Sequence, residues 1–197
     1  LVVKPIIDKR GLQELLSLSP SRIPGSGVFK DIYELRPGHY MIYRDGDVII
    51  NRYWNVKSFK NNDSFLVARD TVFRLLSDSI KRQMVSDVDI ACLLSGGLDS
   101  SIITAVVSNN RLKPLDTYSI DYEDNDKFFE KSKFTVSMDN DFIDLMSRKF
   151  NTNHHYNVIS QRSVAKHLRE AMIARDLPGM ADIDSSLLLF CKHVKKE

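Results

Sequence analysis

The residues best suited to chemistry form one short run, Ser95-Gly96-Gly97-Leu98-Asp99-Ser100-Ser101. Two adjacent glycines let a chain turn sharply and bring backbone N–H groups close to an anion with no Cβ in the way. Ser95, Ser100 and Ser101 add hydroxyl donors to the same place. The residues after the run carry the pattern of a helix, whose first turn contributes unpaired N–H groups and the positive end of its dipole. This combination suits a polyphosphate. It is not the G-x-x-x-x-G-K-[ST] loop, because no lysine follows the glycines, and it is not G-x-G-x-x-G. The phosphate charge must therefore be met by a metal ion or by basic groups elsewhere. Asp99 has two readings, a metal ligand within the loop or a cap of the following helix.

The elements that position this run are legible on both sides of it. Val88–Leu94 is short and mostly apolar, as expected of a central parallel strand covered on both faces. Asp99–Ser108 reads as a helix through Ile102, Ile103, Val106 and Val107. A second strand is predicted at Asp116–Ile120, a polar loop over 121–133, a helix over Asp139–Phe150 and a third strand at His155–Ile159. A further helix follows at Arg162–Arg175, and a last one starts at Asp184 or Ser185. Ahead of the run, Asp63 or Ser64 caps a helix with Phe65, Val72, Phe73, Leu76, Ile80 and Met84 on one apolar face. Strand and helix alternate from residue 64 onward, which predicts an α/β fold with a parallel sheet and flanking helices. In such sheets ligands lie beyond the carboxyl ends of the strands, where this loop stands.

The first quarter has a different rhythm. Lys9–Leu18 carries Leu12, Leu15 and Leu16 at helical spacing and ends before Pro20. Three β-like runs follow, Ile32–Leu35, His39–Tyr43 and Val48–Trp54, separated by Pro37-Gly38 and Asp45-Gly46. Asp-Gly between apolar stretches signals a tight hairpin. This segment is too small to bury a core alone and must pack on something else. Residues 55–63 are polar and read as a linker.

Composition narrows the class. Over 197 residues, 43% are hydrophobic and 27% charged, a globular balance, and the formal charge of +2 points to no nucleic-acid partner. No apolar run approaches the roughly 18 residues that would cross a bilayer. The first residues contain no initiator Met and do not form a secretory signal. Cys92 and Cys191 are too few for a disulfide framework and have no metal spacing; both read as buried, reduced thiols, which points to a cytoplasmic setting.

The remaining polar groups have plainer readings. His154-His155 stands beside a strand without a carboxylate or cysteine at metal spacing and reads as a strand-edge pair. Asp182 and Asp184 are candidates for a substrate pocket, with Asp184 before Ser185 equally a helix cap. Lys192, Lys195 and Lys196 read as a solvated helix end that complements the dipole.

The loop resembles that of the ATP-pyrophosphatase superfamily, which cleaves ATP between its α and β phosphates. Its flanks resemble the glutamine-hydrolysing asparagine synthetases. Gly27 through Tyr40, followed by Arg52-Tyr53-Trp54, is similar to the end of their glutaminase domain, and Leu177 through Ser186 to a segment of the bacterial branch. The resemblance implies a β-hairpin remnant of the glutaminase domain over 1–54, a linker over 55–63, and the first part of a synthetase domain of the adenine nucleotide alpha-hydrolase type over 64–197. It implies ATP and Mg²⁺ as cofactors, held by Leu94, Ser95, Gly96, Gly97, Leu98, Asp99, Ser100, Ser101 and Ile120, with Asp99 on the metal. Aspartate and glutamine are the implied further substrates. Two departures follow: the family's glutaminase cysteine and its second acidic motif, S-G-E-x-x-D-E, have no counterpart in the sequence. An internal fragment with no complete catalytic set, inactive alone, is the expectation, and its uncovered apolar edges predict self-association or a homodimer. Two other readings stay open, a different ATP-pyrophosphatase such as a tRNA-modifying enzyme, and a nucleotide-binding module without catalysis.

Overall fold

The computed structural model describes residues 4–128 and 139–196. The chain divides into two compact units, one formed by Leu1–Asn61 with Arg169–Asp184, the other by Asn62–Leu168 with Ser185–Glu197.

In the first unit, α1 spans Lys9–Leu18, as the leucine spacing predicts, and Asp8 caps it by accepting from the Gly11 N–H. Its buried positions are Gly11 and Glu14, whereas Leu12 and Leu16 are exposed. Two strands follow where three β-like runs were expected. Strand β1 (His39–Arg44) pairs antiparallel with β2 (Asp47–Arg52), and Ile32–Leu35 is irregular. The turn is the one the Asp-Gly pair predicts, with φ of 53° at Asp45 and 92° at Gly46. Nearly every hairpin side chain is exposed, because two strands alone have no second layer to cover them.

Glu14 supplies this unit with a polar centre. Its carboxylate accepts from the Ile23 N–H at 3.1 Å, and Ser26 Oγ lies 2.6 and 2.8 Å from its two oxygens. The Ser26 hydroxyl and the Ile23 amide hold the Glu14 pKa below its usual value. A depressed carboxyl pKa gives stability that is fully present above about pH 4.5, the unperturbed value, and is lost as pH falls through the folded value. Lowering the pH from 6 to 3.5 is therefore expected to reduce the urea midpoint of this unit. A Glu14→Gln variant should show a flatter dependence; equal slopes in the two proteins would remove Glu14 as the cause.

The second unit holds the sheet. Helix α2 (Phe65–Arg82) is capped by Ser64, whose Oγ accepts from the Val67 N–H. Strand β3 is Ala91–Leu93, shorter than the apolar run suggests, and α3 is Leu98–Asn109. Then come β4 (Asp116–Tyr122), a single turn α4 (Asn125–Phe128) within the expected loop, α5 (Asn140–Phe150) and β5 (Asn153–Ile159). Part of that loop, 129–138, lies outside the described residues. The sheet is parallel in the order β3-β4-β5. Among the described residues the central strand is thus β4, not the one ahead of the glycine loop. Thr117, Tyr118 and Ser119 of β4 are buried in succession, whereas Ala91 and Leu93 share one face of β3 and are exposed, with Cys92 on the opposite face buried against α2 and α3.

Helix α3 packs against both α2 and α5. Ile80, Cys92, Val106, Val107 and Leu115 form the core between α2, β3 and α3. Only Ile80 of the expected α2 face is buried; Phe65, Val72 and Phe73 are 80%, 63% and 64% exposed. The chain continues into α6 (Gln161–Ala174) and α7 (Ala181–Val194). The last helix starts ahead of the expected Asp184 or Ser185, so Asp184 lies inside its first turn and is no cap. Among the described residues no helix is long and apolar enough to cross a membrane.

Candidate functional site

Leu94 follows the last residue of β3 and donates its N–H to the Tyr118 carbonyl at 2.8 Å, so the loop leaves from a fixed point beside β4. The chain reverses at Gly96, with φ of 74°. A Cβ there would stand 2.7 Å from the Asp139 carbonyl oxygen and 3.2 Å from Phe142 Cβ, so the start of α5 sits directly against the loop. Gly97 then caps α3 with ordinary extended dihedrals, φ −68° and ψ 162°. A Cβ at Gly97 would meet nothing nearer than Ser95 Oγ at 3.6 Å. One glycine is needed to build the turn, and the other leaves the surface beside the loop clear.

The hydroxyls are arranged around Ser100. Its Oγ accepts from the Ser95 N–H at 3.2 Å, donates to the Gly97 carbonyl at 3.1 Å and lies 3.1 Å from Ser95 Oγ. Ser100 thus braces the loop from within. The first α3 bond at this end runs from the Ser101 N–H to the Gly97 carbonyl at 3.1 Å, which leaves the preceding N–H groups of the turn outside the helical ladder. Asp99 is exposed and lies in the first turn of α3 rather than at its cap. The capping alternative for Asp99 fails because a cap must precede the first helical residue, and Gly97 holds that place. Leu98 is exposed beside it.

Next to the loop is a cavity of about 360 Å³, lined by Leu93, Leu94, Ser95, Ser100, Tyr118, Ser119, Ile120, Asp139, Ile143, Leu187 and Phe190. The structure therefore brings Leu94, Ser95, Ser100 and Ile120 to one cavity, with Gly96, Gly97, Leu98, Asp99 and Ser101 continuing the loop away from it. The walls are mostly apolar, with hydroxyls at the loop end. The sequence reading missed Leu93, Tyr118, Ser119, Asp139, Ile143, Leu187 and Phe190. Tyr118 was within reach, because it shares the face of β4 with Ile120 by strand alternation. Ring contacts fix it there: it stacks on His155 at 4.6 Å and meets Phe190 edge-on at 6.3 Å. Desolvation by burial, then the Asp121 charge, raises the Asp139 carboxyl pKa.

The two histidines serve the sheet, as a strand-edge pair. His154 Nδ1 lies 2.9 Å from Thr117 Oγ1 and Nε2 lies 3.0 Å from Ser119 Oγ, so both ring nitrogens are engaged by β4. Burial lowers its pKa, which favours the neutral ring that such pairing suits. His155 Nε2 is 3.2 Å from Asp116. Asp184 is paired with Arg175 at 2.5 Å. Lys192, Lys195 and Lys196 are exposed at the end of α7. Cys92 is buried, and burial raises its thiol pKa, but Cys191 is exposed on α7, because the apolar neighbours Leu187–Phe190 turn with the helix and do not enclose it.

A metal ion would find one carboxylate in the loop, Asp99, and no group of three or more His, Cys, Asp or Glu gathers as a metal site among the described residues. That donor set fits Mg²⁺, which is commonly held by one or two carboxylates together with substrate phosphates and water.

Residues 71–197 match the family model described as asparagine synthase. The chain is 49% identical to a Bacillus subtilis asparagine synthetase [glutamine-hydrolyzing] 3 over 99% of its own length and 32% of that protein. It is 33% identical to Escherichia coli asparagine synthetase B [glutamine-hydrolyzing] over 50% of its length and 17% of the relative, and 29% identical to amidase chry2 of Gibberella zeae over 45% and 14%. The chain spans about a third or less of the length of these relatives.

Proposed function

Because the chain belongs to the asparagine synthase family, we propose that it is the ATP-binding part of a protein that makes asparagine from aspartate, ATP and glutamine. The aspartate side-chain carboxylate attacks the α-phosphate of ATP, forming β-aspartyl-AMP and releasing pyrophosphate. Ammonia from glutamine then displaces AMP and leaves asparagine. The observation that carries this reading is the seating of the glycine loop at the end of β3, beside a cavity that Leu94 and Ile120 share.

The chain's own residues do the positioning. The N–H groups of the loop and the first turn of α3 hold the departing pyrophosphate, where charge accumulates as the α–β bond breaks. Ser95 and Ser101 add hydroxyls, and Ser100 keeps the loop in shape. Leu94 and Ile120 meet the nucleoside through backbone and apolar contact. Mg²⁺, when bound with the phosphates beside Asp99, supplies the neutralising charge that no loop lysine provides. The remaining assignments follow the same reading: residues 1–54 as the end of a glutaminase domain, 55–63 as the linker, and 64–197 as the first part of the synthetase domain, not active alone. The exposed apolar side of α2 supports association with further protein, a homodimer included.

The test is the product of ATP cleavage. The full-length protein that contains this chain, given aspartate, ATP, Mg²⁺ and glutamine, should yield AMP, pyrophosphate and asparagine in equal amounts. Release of ADP and inorganic phosphate would reject attack at the α-phosphate.

A further inference from the structure

From the position of Asp139 we infer that its carboxylate selects the ribose of the bound nucleotide by accepting hydrogen bonds from the sugar hydroxyls. This rests on the nucleotide reading of the cavity and adds a residue to it.

Three observations place Asp139 there. Its carbonyl oxygen backs onto Gly96, so its backbone stands beside the phosphate loop, and the same residue lines the cavity that Tyr118, Ile120 and Ile143 wall on the apolar side. A nucleotide with its phosphates at the loop and its base against those apolar groups has only its sugar in between. Asp139 also precedes α5 but makes no side-chain cap bond, with helical dihedrals, φ −72° and ψ −23°, in place of the extended ones that aim a cap carboxylate at the helix N–H groups. Its neighbour Asn140 is held by donating Nδ2–H to Asp121 at 2.9 Å, and Asn125 donates to the other Asp121 oxygen at 2.9 Å. Asp121, near the end of β4, also accepts from the Tyr122 N–H at 2.8 Å, so its carboxylate is occupied in positioning the start of α5.

The chemistry selects the partner. A carboxylate close to a triphosphate is favourable only where a metal ion or a ligand donor meets it; Asp99 is the carboxylate placed for the metal, and for Asp139 the vicinal ribose hydroxyls are the donors next to the phosphates. Acidic groups beside a nucleotide-binding strand take up ribose hydroxyls elsewhere in α/β folds. Hydrogen bonds to an ionised acceptor are roughly twice as strong as neutral ones.

The experiment is calorimetric titration of the full-length protein with Mg·ATP, Mg·2′-deoxyATP, Mg·3′-deoxyATP and inorganic triphosphate. The wild-type protein should prefer ATP to at least one deoxy analogue by about tenfold, the loss of one charge-assisted hydrogen bond. Asp139→Ala should bind all three nucleotides alike and inorganic triphosphate no more weakly than the parent. Asp139→Asn keeps the size of the side chain with a weaker acceptor and should fall between the two. Discrimination that survives in a folded Asp139→Ala protein would overturn the assignment and leave the nucleotide site intact. Failure of the wild-type protein to bind ATP would overturn the nucleotide reading itself.

Discussion

A Gly97→Val variant is expected to fold as the parent does and to lose Mg·ATP affinity by about a hundredfold or more. The two halves of this expectation have separate causes. Gly97 has dihedrals that any residue adopts, and a Cβ placed on it touches only Ser95 Oγ at ordinary contact distance. Neither backbone strain nor packing demands glycine, and exchanging a favoured N-cap residue for valine should lower the melting temperature by no more than about 4 °C. The valine methyl groups, however, would stand over the N–H groups that open α3. An anion kept away from two such donors forfeits on the order of 1.5–3 kcal/mol for each charge-assisted bond. Calorimetric titration of the two proteins decides the matter. Equal affinities would mean that phosphate does not approach the loop at Gly97.

Gly96→Ala is expected to do the opposite, weakening the fold first. Its φ of 74° costs an L-residue about 1–2 kcal/mol, and the new Cβ would lie 2.7 Å from the Asp139 carbonyl oxygen. That oxygen is backbone, and the start of α5 is tied to β4 through Asn140 and Asp121, so it cannot move away freely. Overpacking of this kind adds about 1–3 kcal/mol. The sum, about 2–5 kcal/mol, corresponds to a fall in melting temperature of roughly 5–15 °C for a chain of this size. Thermal unfolding followed by circular dichroism reads it directly. A melting temperature equal to the parent's would show that α5 is not braced against the loop. Adjacent glycines with the same side chain thus separate into one that builds the turn and one that keeps it open.

Much of the fold is legible in the sequence because it rests on local physics. The bounds of α1 follow from its leucine spacing and the proline beyond it, the β1–β2 turn from Asp45-Gly46, and the start of α2 from Ser64. The place of the loop from Ser95 to Ser101 is equally readable, since two adjacent glycines interrupt an apolar strand just ahead of a helix. Local signals also misled. Ile32–Leu35 has β-type residues but no partner strand among the described residues. The start of α7 is set at Ala181, ahead of a serine that reads as a boundary from sequence alone.

By itself, then, the sequence determined the alternation of strands and helices from residue 64, the hairpin turn and the place of the glycine–serine loop between a strand and a helix, all set by neighbours within a few positions. Only the tertiary structure decided that β4 is central, that the two glycines differ in purpose, and that Asp139 shares a cavity with Ile120 and Ser95. Strand order depends on which edges meet, and no residue in β3 or β4 encodes that locally. The Asp139–Gly96 approach joins positions 43 residues apart (139 − 96), and the energy that holds it comes from the packing of α3 on α5 and the Asp121–Asn140 bond. Those are contacts that no periodicity along the chain reveals.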